Sequence, residues 1–246
     1  MVDLGWFGWI SLNAHFFTGL GTIILINIIL SGDNAVLIAL AVRGLEPRQR
    51  TWGIILGSML AVILRIGLTA FAVTLLNFAF LKVVGGALIA WIAVKLLTED
   101  ACSADVKQSC TLWGAVRVIL IADLVMSIDN VLAIAGAAKG NMFLIILGLG
   151  TSIPLVVGTS AFLTILMERY PIIVTFGAGV LGKVSGEMII TDPWVHQHLN
   201  PTHAEEIGVQ IFFLAGVILV GTFMMKWRKG REVVQESAEY QKPLSS

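Results

Sequence analysis

Hydrophobic positions in this chain run in long blocks, not in the short alternating or single-face stripes of water-soluble elements. A helix needs about 20 consecutive apolar residues to cross a hydrocarbon core about 30 Å thick. Blocks of that order lie at about Phe17–Val42, Trp52–Leu76, Phe78–Leu97, Leu112–Ala138, Phe143–Leu166, Ile172–Ile190 and Ile207–Trp227. They predict an all-α polytopic membrane protein with about seven transmembrane helices. The polar stretches between blocks are too short for a separate soluble domain. The expected organisation is an N-terminal interfacial segment over 1–16, a membrane domain over 17–227 and a polar cytoplasmic tail over 228–246. Trp6, Phe7 and Trp9 in the first segment suit an interfacial aromatic belt.

Composition supports that class. The chain is 57% apolar and 13% charged, against about 45–50% and about 25% in soluble domains. Mean hydropathy is +0.89, and the pI is about 6.9 with zero formal net charge. No basic field exists to attract nucleic acid, so none is expected as a partner. Cys102 and Cys110 share one polar loop and are too few for a disulfide scaffold. The first residues carry no basic leader or small-residue cleavage site, so no signal peptide is expected. Arg43, Arg48, Arg50, Lys95, Lys107, Arg169, Lys226, Arg228, Lys229 and Arg231 fall on one side if the N-terminus is outside. Lys139 is the basic residue of the opposite connections, and Lys82 near an outer end weighs slightly against. The positive side faces the cytoplasm, which places the C-terminus there.

A short internal repeat is visible. Leu30–Leu37 (LSGDNAVL) resembles Met126–Ala133 (MSIDNVLA). The copies fall in the first and fourth blocks and would therefore run in opposite directions. That is the pattern of a 3+3 inverted repeat, with halves about 17–97 and 112–190 and one additional helix at about 207–227. Such repeats place a binding site near the membrane midplane. Gly85, Gly86, Gly177 and Gly179 supply small residues for close helix contact.

Asp33 and Asp129 each follow a mostly apolar run. A carboxylate at that depth costs of order 2.5–3.5 kcal/mol on insertion scales, so it must face the interior and meet a partner. Two carboxylates can share a divalent cation, and hard divalent ions favour carboxylate, amide and water oxygens. Asn34 and Asn130 offer amide carbonyls, and Ser31 and Ser127 offer hydroxyls or caps for broken turns. Asn27, Ser31 and Asn34 recur at i, i+4 and i+7 on one helical face, and Asp123, Ser127 and Asn130 repeat that spacing. Asp33 and Asp129 stand about 100° off these stripes, and unwinding at Gly32 would bring Asp33 round. The competing reading is an interhelical hydrogen-bond lock that holds no ligand.

Other polar residues extend the set. Asp123 lies nearer the start of its block and suits an approach from the cytoplasm. Arg65 is deep in the second block, as a counter-ion to a motif carboxylate in the metal-free state or as a structural salt bridge. Glu187 is an ion ligand or proton carrier, or else pairs with Lys183 four residues earlier. Pro154 predicts a kink in the fifth block. Asp192, His196, His198 and His203 crowd an outer loop, where an H-x-H pair can bind a transition metal but more commonly faces water. No phosphate loop, zinc-protease motif or nucleophile elbow occurs, so an enzyme is not expected.

The segments Asn27–Ala41, Trp91–Leu97, Ile121–Gly140 and Ile146–Ser160 carry a family likeness. With their two S-x-D-N motifs they resemble the TerC family of bacterial integral membrane proteins, and within it the YjbE-like metal (manganese) transporter subgroup. The likeness extends from about Phe17 to Trp227. It implies an inner-membrane protein with the architecture of lysine-exporter-type transporters, linked to manganese efflux and tellurium-resistance operons. The family's paired acidic and amide positions map onto Asp33, Asn34, Asp129 and Asn130. Many relatives carry glutamate where this chain has Asn27, while Asp123 keeps an acid in the second half.

The expected function is a secondary transporter that exports a divalent metal ion, Mn²⁺ by resemblance, from the cytoplasm. The metal is substrate, no cofactor is tightly bound, and an antiported proton is a candidate partner. The bilayer is the surrounding partner, and a homo-oligomer stays open. Two alternatives remain at this point: a membrane scaffold supporting metal handling or exported proteins, and a small-solute exporter.

Overall fold

A computed structural model describes residues 2–3, 9–10, 14–70, 80–98, 111–138 and 141–240. In lipid, every backbone N–H and C=O must be satisfied within the segment, and the apolar blocks meet this demand by coiling into helices. The order is β1 (Val2–Asp3), β2 (Trp9–Ile10), α1 (Ala14–Val42), α2 (Pro47–Ala70), α3 (Leu81–Thr98), α4 (Leu112–Ala138), α5 (Met142–Arg169), α6 (Ile172–Ile190), α7 (Pro193–Leu199) and α8 (His203–Tyr240). The strands form one short antiparallel pair with Val2 opposite Ile10. Local chemistry marks the ends. Asn141 caps α5 by accepting the Leu144 N–H at 3.2 Å. Asp192 caps α7 by accepting the Trp194 N–H at 3.0 Å, and Asn200 closes it in the left-handed region at φ 44°.

The number of spans corrects the sequence expectation. Among the described residues, five helices are long and apolar enough to cross a membrane: Pro47–Thr69, Leu81–Thr98, Met142–Arg169, Ile172–Ile190 and His203–Trp227. A sixth arises if Phe16–Ile28 and Ser31–Val42, bent by 45°, form one span. That count replaces the expected seven or so helices, and five or six spans do not divide into a 3+3 inverted repeat plus one. Helix α4 forms where an apolar block predicts it. The third helix begins at Leu81, slightly later than the third block suggests. The connection near Asn77, the loop with Cys102, Lys107 and Cys110, and Lys139 lie outside the described residues.

Two packing regimes hold the bundle. On one side α6 lies between α3 and α8, with backbone close to backbone. A Cβ on Gly86 would stand 2.7 Å from the Ser185 carbonyl oxygen, and one on Gly182 would stand 2.8 Å from that of Phe213. Only glycine allows this approach. Ser185 Oγ fixes the first contact by donating to the Gly86 carbonyl at 2.6 Å. On the other side α1 packs on α5 and α4, and α2 packs on α4. Leu37, Leu40, Ile89, Ile92, Val125 and Leu181 join the two sides in one buried cluster.

The basic residues gather toward one end. Arg43 Nη2 donates to the Leu96 carbonyl at 2.8 Å, and Arg50 pairs with Glu168 at the close of α5. At the opposite end the Lys82 N–H donates to Asp192 Oδ2 at 3.2 Å.

Candidate functional site

The two i, i+4, i+7 stripes both turn inward. Asn27, Ser31 and Asn34 on α1, and Asp123, Ser127 and Asn130 on α4, are all at most 8% exposed. Burying so many polar groups in an apolar bundle is tolerable only when they satisfy one another. Arg65 does most of that work from α2. Its Nε donates to Ser127 Oγ at 2.9 Å, its Nη1 to Asn27 Oδ1 at 3.2 Å, and its Nη2 to Asp123 Oδ1. Ser127 Oγ donates in turn to the second carboxylate oxygen, Asp123 Oδ2, at 3.0 Å. Asn27 Nδ2 donates to Ser152 Oγ on α5, and Ser31 Oγ donates to the Asn27 carbonyl. Four helices thus meet in one polar knot with one cation and one anion at its heart.

A cavity of about 20 Å³ adjoins the knot, lined by Asn34, Ser58, Arg65, Asp123 and Ser152 among apolar neighbours. About 10–15 Å³ suffices for one water molecule, so the space suits a single water-sized guest. It lies within the described bundle, and its polar lining is oxygen and nitrogen alone.

Along its whole membrane region the chain matches a family model described as "Integral membrane protein TerC family", over residues 12–232. The chain belongs to the TerC family. It is 39% identical to the uncharacterized membrane protein YjbE of Bacillus subtilis over 218 residues, covering 89% of this chain and all of that protein. It is 25% identical to the uncharacterized membrane protein YceF of Bacillus subtilis, across 62% of this chain and 63% of YceF. The UPF0053 protein YegH of Escherichia coli is 27% identical, across 68% of this chain and 35% of its own length. No solved structure matches. This TerC-family chain is a multi-pass membrane protein.

The TerC-family motif residues do not all enter the knot. Asn34 lines the cavity and Asn130 is buried, while Asp33 is half-buried, off the stripe, as helical geometry requires. Helix α1 stays helical through Gly32, so the unwinding expected there is absent. The bend falls instead between Ile28 and Ser31. The side chain of Asp129 lies outside the described residues. Glu187 is exposed on α6. In the outer segment His198 stacks on Trp194 with ring centroids 4.1 Å apart, and His203 Nδ1 stands 3.4 Å from Glu206. Among the described residues no three His, Cys, Asp or Glu side chains converge as a metal site.

Two residues of the site escaped the sequence reading. Ser152, two residues before Pro154, ties α5 to Asn27. Ser58 drew no attention, although it precedes Arg65 by seven residues and therefore shares its helical face.

Proposed function

We propose that this TerC-family chain is a secondary transporter that exports divalent metal ions, with Mn²⁺ foremost, from the cytoplasm. The observation that carries this reading is the buried Arg65–Asp123 knot against a small cavity that Asn34 also lines. A membrane protein that needed only helix glue would not require an ionised pair beside an internal space; intramembrane ionisable groups mark ion paths by default. Asp33, Asn34, Asp129 and Asn130 supply the metal's oxygens, with hydroxyls from Ser31 and Ser127. Asn27 and Asp123 line the approach, and Glu187 serves the pathway beyond. Arg65 is the counter-ion that neutralises the site when no metal is bound. Mn²⁺ itself comes from the family resemblance, and protons are the coupling ions.

In the same reading, residues 17–227 are the transport domain, 1–16 an interfacial segment and 228–246 a cytoplasmic tail. The gathering of Arg43, Arg50 and Arg169 toward one end supports a cytoplasmic C-terminus in a bacterial inner membrane.

The test is Mn²⁺ flux into sealed proteoliposomes of the purified chain, with and without a pH gradient. Asp33→Asn and Asp129→Asn are each expected to lower the flux by roughly tenfold or more. Correctly inserted wild-type protein that moves no Mn²⁺ under any gradient would overturn the reading.

A further inference from the structure

Ser58 lies in α2, 2% exposed, and its Oγ has no hydrogen-bond partner among the described residues. A buried hydroxyl on a helix ordinarily donates to the carbonyl four residues back. Ser31, Thr69 and Thr164 do so in this bundle. Ser58 instead lines the cavity, together with Asn34, Asp123 and Ser152. An unsatisfied buried hydroxyl is costly, and its retention on the wall of a water-sized space points to a guest that it contacts.

Arg65 borders the same space and holds Asp123. A dication at the Asp123 carboxylate competes with the guanidinium that holds it, because like charges repel strongly where screening is weak. With Arg65 turned aside, the cavity wall would present the Asp123 carboxylate, the Ser58 and Ser152 hydroxyls and the Asn34 amide oxygen. That is an all-oxygen set suited to a hard cation.

We propose that Ser58 is a direct ligand of the transported cation as it passes this cavity, which Asp123 places on the approach to the motif residues, and that its oxygen helps set the preference for hard over thiophilic ions. The inference rests on the transport reading above, but it names a residue and a selectivity role outside the motif pairs.

The test exchanges oxygen for sulfur. Ser58→Cys is made in the full chain, in a Cys102→Ser, Cys110→Ser background, and binding of Mn²⁺ and of Cd²⁺ is titrated in lipid nanodiscs. A thiolate favours the softer ion, so the ratio of Cd²⁺ to Mn²⁺ affinity is expected to rise by roughly tenfold or more over the background. Ser160→Cys is the control. Ser160 is also fully buried with no partner for its Oγ among the described residues, but it does not line this cavity. Its substitution is expected to leave the ratio within about twofold. The gain counts only where Mn²⁺ binding is retained, because an exposed thiol on a misfolded chain would also take up Cd²⁺. A background chain that binds Mn²⁺, with a ratio unmoved by Ser58→Cys or moved equally by Ser160→Cys, overturns this inference alone. A background chain that binds neither ion overturns the transport reading and this inference together.

Discussion

Removing one half of the Arg65–Asp123 pair strands the other half among apolar side chains. Arg65→Met leaves the Asp123 carboxylate with the Ser127 hydroxyl, 3.0 Å away, as its remaining donor among the described residues. It also takes from Asn27 Oδ1 its donor at 3.2 Å. Asp123→Leu leaves the guanidinium bonded to Ser127 and Asn27 but with its charge uncompensated. Breaking a buried pair from one side typically costs about 3–5 kcal/mol, whereas replacing both members by apolar residues of similar volume is often near neutral. Each single variant is therefore expected to lose about 3–5 kcal/mol, and the double variant far less than their sum, a coupling of at least about 2 kcal/mol. The assay is equilibrium unfolding of the purified chain in mixed micelles, followed by circular dichroism, for the wild type, both singles and the double. Single losses below about 1 kcal/mol, or a double loss equal to the sum within about 0.5 kcal/mol, would refute the claim that these charges are buried and mutually dependent.

Two further outcomes follow from the packing. Gly86→Ala drives a methyl group into the Ser185 carbonyl and Ile189, both 2.7 Å from the added carbon, and is expected to cost about 1–3 kcal/mol in the same unfolding assay; an unchanged midpoint would show that α3 and α6 do not touch there. Asp192→Ala removes the acceptor for both the Trp194 and Lys82 N–H groups, so it should cost about 1–2 kcal/mol. Hydrogen–deuterium exchange reads this locally: residues 193–199 should exchange faster, and unaltered protection there would exclude the capping role.

How much of this could be read from sequence depended on whether the signal was local. The stripes Asn27–Ser31–Asn34 and Asp123–Ser127–Asn130 were legible because i, i+4, i+7 spacing alone fixes a shared face. Arg65 was legible as a buried cation, but the sequence did not single out Asp123 as a partner. That choice depends on how α2 is rotated against α4, and no single-helix pattern carries it. Ser58 and Ser152 stayed hidden because small hydroxyl residues are ordinary in membrane helices until a neighbour shows what they face. The number of spans was misjudged because hydrophobic blocks measure apolar length alone. They do not register the bend between Ile28 and Ser31.

The glycine contacts on either flank of α6 have a mechanical consequence. Backbone against backbone leaves no deformable side chain to take up a sliding displacement, since packed interiors yield in discrete steps and not continuously. At Gly86 and Gly182, α6 cannot shift against α3 or α8 without first lifting away from a carbonyl. The three helices therefore behave as a keel.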